Sequence, residues 1–156
     1  MIEAKVHGIP DLKAALQSIP DKLRKRALRN ALAAAGRVVR DDARSRAPVL
    51  SLSGGLRAPF RTAGTVKRAI SVRTSKRARR AGDVGVFVNV RPAKSGQRGA
   101  KSPTDPFYWR WLEFGRAGMR ARPFLQPAAS RLGDALAVFL RQIGPAIDKI
   151  ARKQTP

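Results

Sequence analysis

Cysteine, histidine, acidic residues and long apolar runs are absent from this sequence or scarce in it. The 156 residues include no cysteine, which excludes disulfide bonds, thiolate nucleophiles and cysteine-ligated metals. No stretch approaches the roughly 20 apolar residues that a membrane-spanning helix requires, and residues 1–5 lack the apolar region of a signal peptide. We therefore expect no redox chemistry, no membrane-spanning segment and no secretory signal.

Acidic residues are few relative to basic ones. There are 33 Lys and Arg against 10 Asp and Glu, so the formal net charge at pH 7 is +23. A chain with this charge repels itself unless counterions or an anionic partner accompany it. Double-stranded DNA, whose phosphates release counterions on binding, and an acidic protein both fit that description. Charge alone does not choose between these two partners.

The usual residues of catalytic and metal sites are also missing. His7 has no recognisable carboxylate or nucleophile motif around it. Asp41 and Asp42 are adjacent on a predicted helix, so they point in different directions, and arginines surround both. Gly54 and Gly55 are not followed by the Gly-Lys-Ser/Thr of a phosphate-binding loop. The sequence predicts no catalytic residue, no metal site and no cofactor, so we do not expect an enzyme.

The length and the helical periodicity predict one α+β domain spanning residues 1–156. Apolar residues recur at helical spacing over residues 21–46, after which Pro48 forces the chain out of helical geometry. A second apolar stripe predicts a final helix with Pro123 as its first residue. This helix is expected to pack against the first and to kink or break at residues 144–145, Gly-Pro.

Alternating apolar residues predict strands at residues 66–74 and 84–91, which pair as an antiparallel hairpin. A weaker alternation over residues 1–9 predicts a further strand. Neither helical spacing nor strand alternation is present at about residues 49–64 and 92–106, which are predicted to be long loops. The expected architecture is a small antiparallel sheet, made of the hairpin and further strands, packed against a long N-terminal helix and a C-terminal helix.

Two basic segments flank the second predicted strand. One is the hairpin connection, residues 75–83, and the other is a loop that begins at Arg91, so positive charge gathers at opposite ends of one strand. Their cations are predicted to contact the DNA of a channel or an acidic partner. For the hairpin connection, a solvated tip that only maintains solubility is an equal alternative. The residues predicted to make these contacts are Lys76, Arg77, Arg79, Arg80, Arg91, Lys94, Arg98 and Lys101.

The densest aromatic cluster, residues 107–115, holds both tryptophans, the one tyrosine and two of the six phenylalanines. Trp109 and Trp111 are predicted to lie in a core or an interface, because the cluster is too dense for a base-stacking platform. Glu113, if buried, requires an arginine or a backbone partner. We expect a buried or intersubunit ion pair that fixes the following loop; the alternative is a solvent-facing carboxylate.

The segments Tyr108–Gly115 and Ala121–Ala128 resemble the signature of the HK97 gp10-like family of phage proteins. That pattern has an aromatic pair, a Glu-aromatic-Gly-Thr step, and then Ala-Arg-Pro-Phe-Leu with a proline-alanine pair opening the last helix. Arg116 stands here in place of the threonine. Upstream, residues 43–48 and 62–70 resemble the family's helix end and its step into the first strand. The signature residues, predicted to be structural or to form an interface, are Tyr108, Trp109, Trp111, Glu113, Phe114, Gly115, Arg122, Pro123, Phe124 and Pro127.

The resemblance implies a structural virion protein of a tailed bacteriophage, a tail-completion or head-tail joining component. It implies a homo-oligomeric ring, six-fold or twelve-fold, in the neck or at the head-proximal end of the tail, with double-stranded DNA passing through. Its neighbours would be neck and tail proteins such as the tail terminator, stopper or adaptor, and it would be assembled in the host bacterial cytoplasm without a membrane partner. The rival interpretation is a sequence-independent DNA-binding protein for packaging or condensation, although no helix-turn-helix, zinc or RNP motif is present.

Overall fold

The computed structural model of the protein describes residues 12, 13, 16, 17, 19–49 and 62–154. The strand predicted over residues 1–9 and most of the loop predicted over residues 49–64 lie outside the described residues.

The longest segment with helical spacing, residues 21–46, forms helix α1, Asp21–Arg46, so the predicted first helix is confirmed. All of its buried residues are alanines, so neighbouring elements can approach its backbone closely. In its first turn the carboxylate of Asp21 lies 2.6 Å from Nη2 of Arg24 and 2.7 Å from Nζ of Lys25, where a negative charge suits the helix dipole. The helix ends at Ala47, whose backbone is extended as the following proline demands.

A two-stranded antiparallel sheet packs across the second half of α1. It joins β1, Ile70–Thr74, to β2, Val86–Val90, with Ile70 opposite Val90 and Thr74 opposite Val86. Ile70 and Val90 are buried in one core cluster with Ala43 of α1. The approach is close, because a Cβ added at Gly36 of α1 would lie 3.0 Å from Cγ1 of Val72. The predicted hairpin is therefore confirmed for these ten residues.

The stretch predicted to begin the first strand is instead a short helix, α2, Thr65–Ala69. Gly64, with φ of +72°, turns the chain into this helix, and its carbonyl accepts a hydrogen bond from the N–H of Arg68 at 2.9 Å. Val66 and Ile70 are four positions apart, a spacing that fits a helical turn as well as strand alternation. For that reason the prediction of a strand from residue 66 was wrong.

The connection between the strands contains helix α3, Lys76–Arg80. The hydroxyl of Ser75 caps it by accepting the N–H of Ala78 at 3.1 Å. Beyond the helix, Gly82 adopts a φ of +82° and the N–H of Asp83 donates to the carbonyl of Ala78 at 2.9 Å. The predicted basic turn is thus a capped helical turn.

The C-terminal part of the chain has three helices, α4 (Trp109–Phe114), α5 (Leu125–Ala128) and α6 (Leu132–Gln154). A 3-10 turn, Ala129–Arg131, separates α5 from α6. The prediction that the final helix begins at Pro123 is therefore wrong. The apolar residues of α5 and the 3-10 turn have nearly helical spacing, although these two elements are separate from α6.

A kink or a break was predicted at residues 144–145. The helix does not break there, since Pro145 lies inside the continuous helix α6. Proline removes one N–H and hence one intrahelical bond. Ile143 and Ile147, on either side of the proline, both pack in the cluster with Ala27 and Ala31 of α1, and this packing holds the helix across the gap.

Among the described residues, two clusters of buried side chains lie along α1. One joins α1 to α6 through Ala27, Ala31 and Ile143, as predicted for the two long helices. The other joins the second half of α1 to the sheet, α2 and α5, with Phe124 fully buried in it. Helices and a small antiparallel sheet share these clusters, so the α+β class is confirmed. No helix in the described part of the chain is long and apolar enough to cross a membrane.

Candidate functional surfaces

A buried carboxylate organises the segment between α4 and α5. Glu113 is 4% exposed, and its oxygens accept hydrogen bonds from the backbone N–H groups of Phe124 at 2.8 Å, Leu125 at 3.0 Å and Gln126 at 2.7 Å. These are N–H groups at the start of α5, which have no partner within the helix. Glu113 is therefore bound by backbone amides, the backbone alternative to an arginine partner, and it forms no ion pair among the described residues. An ion pair between subunits stays a prediction.

The loop between these two helices is tightly folded. Gly115 has φ of +78°, and a Cβ there would lie 3.1 Å from the backbone nitrogen of Ala121. An isolated bridge pairs Arg116 with Met119, and the N–H of Arg122 donates to the carbonyl of Leu112 at 2.7 Å. The glycine of the signature is thus required by both its φ and the close approach.

The signature residues divide between the core and the surface. Phe124 is fully buried, Tyr108 and Trp109 are half-buried against the same core cluster, and Pro127 is half-buried. Arg122 and Pro123 are exposed. A core role therefore explains only part of the signature.

Two exposed signature residues of α4, Trp111 and Phe114, and two exposed residues of the following loop, Arg116 and Met119, make up what we call the aromatic patch. Phe114 is 72% exposed, and Trp111 and Met119 are each 38% exposed. The guanidinium of Arg116 lies 4.7 Å from the ring of Trp111, which also meets Phe107 edge to face at 5.4 Å. Large apolar side chains held rigidly at the surface are typical of protein contact sites.

The cations of the hairpin connection stand on α3. Lys76, Arg77, Arg79 and Arg80 are all exposed, and the capping by Ser75 holds the helical turn that presents them. They lie at the end of the hairpin, before β2 begins.

The second basic segment, which follows β2, lines a groove together with Arg73 of β1. We call it the cationic groove; it has a volume of about 490 Å³, and its basic residues are Arg73, Arg91, Lys94 and Arg98. Lys101 lies on a neighbouring depression that Arg98 shares. Arg73, which the sequence analysis did not select, belongs to β1, where its guanidinium lies 5.9 Å from the ring of Phe87 on the opposite strand. The structure thus brings three predicted cations together and adds a fourth.

A second buried carboxylate holds the loop that forms the groove. Asp105 is 2% exposed and accepts hydrogen bonds from the backbone N–H groups of Ala93 at 3.2 Å and Gly99 at 2.6 Å. Nε of Arg98 donates to the carbonyl of Ala93 at 3.0 Å. Sequence reasoning missed Asp105; its position between the prolines at 103 and 106, after a glycine-containing loop, is the available signal.

Several acids of the described residues are already paired with nearby cations. Three of them on α1 have a pKa below the ordinary value because a basic side chain within four positions donates a hydrogen bond; the first donors to Asp21, Asp41 and Asp42 are Lys25, Arg40 and Arg46. Asp134 pairs with Arg131 at 3.0 Å. None of the ion pairs among the described residues involves any of the eight predicted contact cations or Arg73. These cations therefore have no acidic partner within the described part of the chain.

No three His, Cys, Asp or Glu side chains within residues 19–49 and 62–154 come together as a metal site. His7, the lone histidine, lies outside the described residues.

One comparison with known proteins gives a match. A family model described as "Bacteriophage HK97-gp10, putative tail-component" matches residues 11–115, about two thirds of the chain. The matched residues include α1, the sheet, both basic segments and Glu113, and they end at Gly115, before the second half of the signature. No curated protein and no solved structure matches the chain.

Proposed function

The chain belongs to the HK97-gp10-like family of phage tail components, and from that premise we propose that this structural virion protein is a tail-completion or head-tail joining subunit. In this proposal, copies of the chain form a ring in the neck or at the head-proximal end of the tail, around the channel through which DNA passes. Six-fold or twelve-fold symmetry fits such a ring, and the neighbours are proteins such as the tail terminator, stopper or adaptor. Its subunits are assembled in the host cytoplasm.

The observation that supports this proposal most is the placement of unpaired charge. The cations of α3 precede β2, whereas Arg91, Lys94 and Arg98 follow it, and no acid of the described residues pairs with them or with Arg73. A single chain gains nothing in stability from such a field, which repels itself. In a ring around a polyanion the same positive field favours binding, because every phosphate that is neutralised releases counterions.

The aromatic patch supplies a contact of a different kind. Subunits in a ring meet through two different faces, so each chain requires a surface that fits a neighbour. Trp111 and Phe114 present apolar area that the chain itself leaves uncovered, and Arg116 is positioned beside them. We assign this patch to contact with an adjacent virion subunit, with Phe114 as the residue that loses the most exposure.

The test is electron microscopy of particles from a phage with a stop codon in this gene, with purified wild-type protein added to a second sample. Filled heads beside separate or abnormal tails, joined into infectious particles on addition, are the expected result. Intact virions without the protein would contradict the proposal.

The second candidate, a sequence-independent DNA-binding protein for packaging or condensation, is favoured by the net charge of +23. It predicts a different outcome in the same experiment, with empty heads beside normal tails. It also predicts tight duplex binding by the isolated chain at physiological salt.

A further inference from the structure

The cationic groove gathers four basic side chains in one concavity, and backbone hydrogen bonds hold the loop that lines it. The N–H of Arg91 donates to the carbonyl of Ala69 at 2.8 Å, which extends the sheet pairing to the first residue of the groove. Asp105 then binds the two ends of the following loop through Ala93 and Gly99. Lys94 and Arg98 are consequently presented by a folded loop.

The groove keeps its positive charge even though an acid lies next to it. The oxygens of Asp105 accept backbone N–H groups, and its burial keeps the carboxylate away from an incoming ligand. Among the described residues, Arg98 uses only its Nε, toward the carbonyl of Ala93, so its two terminal nitrogens can donate to an anion. The ring of Phe87 lies beside the guanidinium of Arg73 and restricts its position.

The composition of the lining favours phosphate over an acidic protein surface. Besides the four cations, Gln97 and Thr104 line the groove, and its apolar residues are only Pro92 and Ala93. Protein contact sites have apolar centres with aromatic anchors, which this chain offers instead at the aromatic patch. Surfaces that bind DNA are more polar and more positive.

We propose that the cationic groove binds the phosphate backbone of double-stranded DNA through Arg73, Arg91, Lys94 and Arg98. Contacts of this kind go to phosphate oxygens and do not read sequence, as suits a protein past which any stretch of the genome must move. Asp105 does not contact the DNA. It is a positioning residue, because it holds the loop that presents Lys94 and Arg98. The inference rests on the proposed function for its biological setting, and it adds the site on the chain that binds the DNA and the atoms of the DNA that are bound.

The test is fluorescence anisotropy of the purified protein with two duplexes of unrelated sequence, titrated at several salt concentrations. The groove variant replaces Arg73, Arg91 and Lys94 with glutamine, which spares the hydrogen bond of Arg98. The control variant removes the same charge from exposed positions on the first turns of α1 by replacing Lys22, Arg26 and Arg29 with glutamine. These control positions lie roughly 20 to 35 Å along the helix from Arg44, which contacts the sheet.

With the groove variant, we expect the slope of log K against log salt to become shallower by about 2 to 3 for both duplexes. With the control variant, the slope should change by less than about 1. Equal losses with the two variants, or no binding of wild-type protein at low salt, would overturn the inference. Thermal melting of both variants checks that neither result comes from unfolding.

A poly-glutamate competitor distinguishes the two classes of partner. If the groove variant loses binding to poly-glutamate but keeps its binding to the duplexes, the groove is a protein site and the proposal is wrong. Because the chain has no cysteine, a photo-crosslinker attached at Gln97→Cys reports DNA at the groove alone, with Asn30→Cys as control. We expect crosslinking to the duplex only at Gln97→Cys, and crosslinking at neither position would contradict the site. None of these results depends on ring assembly, so failure here and failure of the particle experiment are separate outcomes.

Discussion

Glu113→Gln tests how the signature segment is held together. The glutamine side chain has nearly the same shape as glutamate, but only one oxygen. If that oxygen faces the N–H groups of Phe124 and Leu125, the new NH2 group faces the N–H of Gln126, and two donors meet. The substitution removes one hydrogen bond and takes the negative charge from the other two.

A hydrogen bond to a charged group, or a buried donor left unsatisfied, accounts for roughly 1 to 3 kcal/mol, so we expect Glu113→Gln to lower the free energy of unfolding by about 2 to 4 kcal/mol. For a chain of this size, each kcal/mol corresponds to about 2 to 4 °C, so Tm should fall by roughly 5 to 15 °C. Urea and thermal denaturation at pH 7, followed by circular dichroism, measure both quantities.

Asp134→Asn is the matched control, since it removes the same charge from an exposed carboxylate that pairs with Arg131. Exposed ion pairs and charges at helix ends contribute little, so the expected change is about 1 kcal/mol or less. If Glu113→Gln destabilises the protein no more than Asp134→Asn does, the buried carboxylate is not what holds α4 to α5. Glu113→Ala, which leaves all three N–H groups without an acceptor, should be the most damaging of the three.

Other substitutions test the fold and its surfaces. Gly36→Ala should lower the free energy of unfolding by about 1 kcal/mol, because the new Cβ meets Val72 at 3.0 Å and the strain exceeds the gain in helix propensity. Gly133→Ala, in the first turn of α6, meets nothing within 4 Å and should raise it by up to about 1 kcal/mol; equal effects in urea denaturation would contradict the close approach of α1 and the sheet. Phe114→Ser, at a side chain that is 72% exposed, should leave Tm nearly unchanged yet reduce infectious particles in the add-back assembly, and normal particle yield would remove Phe114 from the contact surface. Asp105→Ala should cost about 2 to 4 kcal/mol by leaving two backbone N–H groups unpaired, and it should weaken duplex binding in the same titrations, whereas undiminished binding would show that the groove does not depend on this acid.

The long elements could be predicted because their apolar residues recur without a competing period. Helix α1 has both a sustained helical stripe and a proline that ends it, and the valines of β2 alternate with polar or exposed residues. Errors arose where one spacing fits two structures. Val66 and Ile70 suit a strand or a helical turn, and the apolar stripe from Phe124 onward runs through α5 and a 3-10 turn before α6 begins. At Pro145 the error has a different cause. Proline usually breaks a helix, but here Ile143 and Ile147 pack on both sides of it and the helix continues.

The candidate surfaces were only partly predictable, for a physical reason. Basic residues and their positions can be read directly from the sequence, so the cations on both sides of β2 could be identified from it. Their assembly into a groove depends on Arg73, which joins them from the neighbouring strand, and on where the loop is held. Whether an acid such as Asp105 or Glu113 is buried depends on which backbone amides the fold brings to it, and the sequence does not contain that information locally.

The two buried acids have a consequence for how this protein can evolve. Their partners are N–H groups of the main chain, which remain whatever side chains the neighbouring positions acquire. Arg44 donates to the carbonyl of Ile70 and so holds α1 to the sheet, and Arg98 of the cationic groove donates to the carbonyl of Ala93. The other exposed lysines and arginines of α3 and the cationic groove form no side-chain hydrogen bond among the described residues. Mutations can therefore move, exchange or remove surface charge one residue at a time while the folded body stays intact. A lineage that must fit a new neighbouring protein or a different channel can therefore change its surface charge without losing the stability of its fold.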